Sequence, residues 1–193
     1  MPGSYTVSLL AGGRAIDSKT LKIIMDPGVK LADVDRRRYD AIGADLHEAQ
    51  RLGGKAQAAL KTLYPQMTAA AAKLKDATGP VKTQFDALNA EFNAVRAKFG
   101  VPAPAPGGRG GGGGGGRGNV DRDNVLNQLS DLKVGVLAIW EAPTAAIVKQ
   151  SADARAALQK AVTEANAFLA KAAALSPSLK THDITLTVPA PVK

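Results

Sequence analysis

Apolar residues recur along most of this chain at alternating spacings of three and four, and alternate every second position only near its two ends. Leu31, Val34, Ile42, Leu46, Ala49, Gly53, Ala56, Leu60 and Leu63 follow the helical spacing apart from one skipped turn at Arg38. This predicts a long amphipathic helix starting near Asp33 as its N-cap, with a bend or a close helix contact at Gly53-Gly54. Tyr64-Pro65 is predicted to end it, because a residue before proline avoids the helical region. A second seam runs through Met67, Ala71, Leu74, Thr78, Val81, Phe85, Leu88, Phe92, Val95 and Phe99 without an error, and Gly79-Pro80 is expected to kink it or break it briefly. Further on, Val125, Leu129, Leu132, Val136 and Ile139 form a seam that Asn119 or Asp121 can cap, and Pro143 stands where a new helix would begin. The last seam, from Ile147 through Ser151, Ala154, Leu158, Ala161, Ala165, Phe168 and Ala172 to Leu175, is rich in alanine, which allows close backbone approach.

The ends read differently. Tyr5, Val7 and Leu9 alternate with Thr6 and Ser8, and Leu21, Ile23 and Met25 alternate likewise, with glycines between the two runs. This is one β-hairpin with a single apolar face. A lone hairpin is marginal in water, and no third strong strand follows, so the chain reads as the C-terminal part of something larger, beginning inside a β-domain. Beyond Ser176-Pro177, Asp183 to Val188 alternates like a strand, but Pro189 and Pro191 limit it to an edge position.

The opening run PGSYTVSLLAGGRAIDSKTLKIIMDPGV resembles a segment near the C-terminal end of bacterial β-propeller proteins with BNR-type repeats, often labelled sortilin-like or VPS10-like glycosyl hydrolases. Ile139-Trp140-Glu141-Ala142-Pro143-Thr144-Ala145 is similar to a break between two helices of that family's tail, and Gly28 stands where the family usually has arginine. The resemblance implies that the hairpin closes a small immunoglobulin-like sandwich and that the DPGV turn hands the chain to an α-helical tail. It also implies a secreted parent, extracellular or periplasmic, whose propeller this chain lacks.

Gly100 to Gly118 is proline-rich and then glycine-rich, a composition that excludes a packed core and reads as a flexible linker. As a random coil it could bridge about 25 Å between one helical hairpin and the next. The expected organisation is therefore a hairpin remnant over 1–28, a helical hairpin over 29–99, the linker over 100–118, a second helical hairpin over 119–176 and an extended tail over 177–193. The fold class is mainly α, a β-hairpin followed by a bundle of long antiparallel helices.

Candidate chemistry is sparse. With no cysteine, disulfides and thiol-based sites are excluded, and no window is long and apolar enough to span a membrane. The net charge of +8 invites a nucleic-acid or anionic-surface reading. Against it, Arg36-Arg37-Arg38 is bracketed by Asp33, Asp35 and Asp40, and the lysines are scattered singly. Gly110, Gly112 and Gly115 match a dinucleotide loop only trivially, without the flanking strand, helix and acid that such a loop needs. Arg109 and Arg117 could serve an arginine–glycine RNA-binding segment, but they lack interleaved aromatics.

The two histidines, His47 and His182, are too far apart in sequence for a local metal set, and His47 with Asp45 and Glu48 reads as a surface cluster. Asp40, Glu48, Asp86, Glu91, Asp131, Glu141, Asp153 and Glu164 lie mostly off the apolar seams, and the Asp-box of the resembled propeller is absent. Trp140 reads as a packing anchor. No catalytic, cofactor-binding or metal-binding residue is expected. The reading is a non-catalytic structural or interaction region that partners the upstream propeller and sandwich of the same protein, or another chain through its helical seams. Two alternatives stand beside it: an accessory part of a glycosyl hydrolase site completed by the propeller, and a basic helical binder of nucleic acid or an envelope surface.

Overall fold

A computed structural model describes residues 2–101, 124–138 and 141–193. Two strands, β1 (Gly3–Ala11) and β2 (Arg14–Ile23), precede four helices, α1 (Asp33–Lys73), α2 (Pro80–Lys98), α3 (Val125–Leu137) and α4 (Ala145–Leu179). A 3₁₀ turn over Lys180–His182 then leads into an extended tail. The chain is mainly helical with an N-terminal antiparallel hairpin, as the periodicity predicts.

Gly12 and Gly13 supply the two left-handed residues of the hairpin turn, with φ of 57° and 79°. Ala11 pairs with Arg14 across them, the two-residue connection whose twist suits antiparallel strands. The chain leaves β2 through a turn at Asp26-Pro27-Gly28-Val29, closed by Val29 N–H donating to Asp26 O at 3.0 Å and Gly28 N–H donating to Asp26 Oδ1 at 2.8 Å.

The first helix departs from its predicted limits at both ends. Ala32 is the residue before the first turn and offers no side-chain cap, while Asp33 and Asp35 lie inside that turn, where their charge favours the helix N-terminus. The turn skipped at Arg38 is filled by Tyr39, a buried residue one position along, whereas Val34 is 71% exposed. At the other end α1 runs straight through Pro65 and stops only at Lys73. Leu60, Leu63, Met67, Ala70 and Leu74 are all buried, so the apolar seam crosses the proline without losing register. Pro65 itself is exposed. The lost backbone hydrogen bond thus falls on the solvent side, where a helix wrapping a core can curve to accommodate the ring. The helix boundary lies instead at Gly79-Pro80: Gly79 has φ of 100° and Pro80 opens α2 at its first position.

Phe85, Leu88, Phe92, Val95 and Phe99 of α2 are buried in the predicted seam. The cap of α3 is Asn124, whose Oδ1 accepts from Leu126 N–H at 3.0 Å and Asn127 N–H at 3.3 Å. The sequence-based candidates Asn119 and Asp121 lie outside the described residues, as do Ile139, Trp140 and most of the predicted linker. Thr144, directly after Pro143, caps α4 by accepting from Ile147 N–H at 3.2 Å. α4 also passes its own proline, Pro177, and ends at Leu179. Proline disrupts the turn before it and leaves the residues after it free to continue the helix, and Leu179, fully buried, anchors those last residues.

Cross-helix contacts fix the arrangement. Gln57 Nε2 donates to Phe99 O at 2.7 Å, so α2 runs down against the upper part of α1. Leu126 meets Gly53, Lys133 Nζ donates to Gln50 Oε1 at 3.0 Å, and Leu137 approaches Gly43, so α3 continues down the lower part. α4 runs back up: Arg155 pairs with Asp45, Lys98 with Glu164, and Lys171 with Glu91. At about 1.5 Å per residue α1 is roughly 60 Å long, and α2 and α3 share that length end to end. One apolar core runs through all four helices, with the Phe92 and Phe168 rings 5.1 Å apart near its middle.

α2 and α3 meet at their junction. Gly100 lies against Asn124: a methyl built on the glycine would stand 2.3 Å from Asn124 Nδ2. The described residues on either side of 102–123 therefore meet.

The tail forms no strand. It turns back at Asp183 and runs down the groove between α1 and α4, with Ile184 and Leu186 buried. Prolines 189 and 191 offer no N–H for a ladder, and the hairpin edge lies elsewhere, so side chains rather than a sheet take its backbone bonds.

Candidate interaction surface

Every residue of β1 and β2 is exposed. The register pairs Gly3 with Ile23, Tyr5 with Leu21, Val7 with Lys19 and Leu9 with Asp17, which gathers the apolar side chains on one face. Ser4, Thr6 and Ser8 pair with Lys22, Thr20 and Ser18 on the other, where the two serine hydroxyls lie 2.8 Å apart. On the apolar face Tyr5 is 41% exposed, Val7 54%, Leu9 60%, Leu21 50% and Ile23 42%. A register shift after Leu9 places Ile16 opposite no single partner, and it too is open to solvent. Such bulges raise the local twist of the ribbon. Among the described residues the sheet has only two strands, so neither outer edge is paired with a further strand.

At the foot of the hairpin a cleft of about 450 Å³ is lined by Ile23, Ile24, Met25, Val29, Arg36 and Asp40. Arg36 pairs with Asp33 at 3.4 Å and with Asp40 at 3.6 Å, while its Nε has no hydrogen-bond partner. The basic triplet thus begins with an arginine already neutralised by its own helix.

The acids singled out in the sequence lie apart from one another. Glu48 pairs with Arg51, Asp86 with Lys82, Glu91 with Lys171, Asp153 with Lys149 and Glu164 with Lys98. Asp131 and Glu141 are exposed. The Arg51 hydrogen bond holds the Glu48 carboxyl below its ordinary range, which keeps it ionised rather than poised as an acid. His47 Nδ1 lies 3.0 Å from Lys133 Nζ, and His182 is exposed in the 3₁₀ turn beyond α4. Among the described residues no three His, Asp or Glu side chains come together as a metal set, and no helix is long and apolar enough to cross a membrane. Arg109, Arg117, Trp140 and the glycines at 110, 112 and 115 lie outside the described residues.

Sequence reasoning found the hairpin face through its period of two. It missed Tyr39, Gln66 and Asn166. Burial pushes the Tyr39 hydroxyl above the ordinary tyrosine range, with Asp40 beside it acting in the same direction. The two amides hold the tail, and nothing in helical periodicity marks a polar residue for that work. Comparison with family models, with curated proteins and with solved structures finds no match for this chain.

Proposed function

We propose that this chain is a non-catalytic structural and interaction module, in which a helical bundle carries a β-hairpin that completes a β-sandwich. The observation that supports this most is the apolar face of Tyr5, Val7, Leu9, Leu21 and Ile23, held in a defined register and left exposed by the described residues. A two-stranded sheet with one apolar face and two open edges gains stability when further strands pair with it and a second layer covers it. Surface patches of this kind mark sites of association.

In this reading the covering strands belong to an upstream region of the same protein, as the resemblance to the BNR-repeat, sortilin-like proteins implies, and the module works outside the cytoplasm. Five of the helix acids support a non-catalytic role: Asp86, Glu91, Asp153 and Glu164 each pair with a lysine and Glu48 pairs with Arg51, so these carboxylates are held apart from one another.

Hydrogen exchange on the chain tests the reading. Amides of Tyr5 to Ile23 are expected to exchange orders of magnitude faster than those of Leu158 to Ala172, and to gain protection when the region encoded upstream is joined to the chain. Equal protection of hairpin and α4 in a monomer would overturn it.

A further inference from the structure

The tail lies in its groove as a bound peptide lies in a receptor. Gln66 on α1 accepts from Thr187 N–H at 2.7 Å and donates to Thr187 O at 3.4 Å. Asn166 on α4 does the same for Val192, accepting at 2.8 Å and donating at 3.0 Å. Each amide thereby reads both backbone groups of one residue, as a neighbouring strand would. Ser176 Oγ donates to Leu186 O at 3.2 Å, and Lys73 Nζ donates to Asp183 O at 2.6 Å. Ile184 and Leu186 are buried at alternate positions, with Thr185 and Thr187 facing solvent between them. Pro189 and Pro191 hold the segment extended before it binds, which reduces the ordering cost.

None of these bonds depends on the tail being continuous with α4. The connection is one tight reversal: Asp183 N–H donates to Lys180 O, Ile184 N–H donates to Leu179 O, and Asp183 sits at φ 55° and ψ 34°. It is the only residue other than glycine with positive φ among the described residues. Opening this hinge relieves a conformation that L-residues disfavour. Short strained hinges followed by a self-contained binding segment are the elements that proteins exchange between copies.

We propose that the α1–α4 groove is an extended-peptide site and that its occupant is exchangeable: residues 183–193 of a second copy bind where the chain's own segment sits. The groove then selects a segment with apolar side chains at alternate positions followed by proline, and joins two molecules without altering either helical core.

The absence of native cysteine makes a direct test available. Thr62 and Ala190 are exposed residues lining the same cleft beside the tail. A chain carrying both Thr62→Cys and Ala190→Cys is expected to cross-link within itself with a short bismaleimide, which checks that folding and seating are intact. Chains carrying Thr62→Cys alone, mixed with chains carrying Ala190→Cys alone and held concentrated below the melting transition, are expected to cross-link between molecules. Thr62→Cys mixed with Asp131→Cys is expected to give only background. Adding Gln66→Ala and Asn166→Ala to both partners is expected to speed exchange on the order of tenfold, because two pairs of backbone bonds are lost. Intermolecular cross-linking no greater than the Asp131→Cys control would overturn exchange. Failure of the double-cysteine chain to cross-link internally would overturn the seating of the tail itself.

Discussion

Gly53 on α1 lies directly against Leu126 on α3: a methyl group built on the glycine would stand 2.4 Å from Leu126 Cδ2, and 2.8 Å from Leu158 Cδ1 on α4. At this glycine, side chains of α3 and α4 both reach the backbone of α1, while its neighbour Gly54 faces open space. The pair therefore separates backbone propensity from packing.

Gly54→Ala is expected to stabilise the fold by about 1 kcal/mol, the ordinary gain from replacing a helix-interior glycine. Gly53→Ala gains the same propensity but must displace two leucine methyls, one on a side chain only 1% exposed. Overpacking costs of about 1–3 kcal/mol outweigh that gain, so the net effect is destabilisation by up to about 2 kcal/mol. Urea midpoints of the two variants, compared with the parent, give opposite signs if the packing is as described.

Pro65→Ala is expected to stabilise the chain by about 1–3 kcal/mol, because it restores a backbone donor and removes a ring from the middle of a continuous helix. Were Tyr64-Pro65 a helix end, the same change would do little. Thermal melting followed by circular dichroism distinguishes the two.

Gly100 touches Asn124, so joining the described residues on either side of 102–123 is a loop closure. Replacing residues 102–123 with about five flexible residues shortens that loop by about two doublings, worth about 1 kcal/mol of closure entropy. Helical content is expected to remain and the melting temperature to rise. Loss of the cooperative transition would show that the segment does more than connect.

The Tyr39 hydroxyl ionises above its ordinary value of about 10, since burial and then Asp40 both oppose the phenolate. Its folded value is the raised one, so its contribution to stability is complete below the unfolded value and is lost as pH rises through the folded value. Stability is expected to fall more steeply above about pH 10 in the parent than in Tyr39→Phe. Identical alkaline limbs would remove Tyr39 from the account.

Legibility in the sequence followed the range of the physics. The seam of Phe85, Leu88, Phe92, Val95 and Phe99 and the hairpin face of Tyr5, Val7 and Leu9 were readable because burial on one side of a regular element imposes a fixed period, and period is a local property of the chain. The glycine turn was readable for the same reason. Pro65 misled, because its cost depends on whether the carbonyl it orphans faces water or core. That is known only once Leu63 and Met67 are seen buried on the opposite side.

The sequence by itself thus determined a mainly helical chain with an N-terminal hairpin and four helical seams. Tertiary structure alone decided that α2 and α3 share the length of α1, that Gly100 meets Asn124, and that Ile184 and Leu186 are buried between α1 and α4. Each is a contact between residues remote in the chain. Amides such as Gln66 and Asn166 acquire their role only from the backbone that arrives opposite them, and periodicity encodes which face of an element is buried, not what it is buried against.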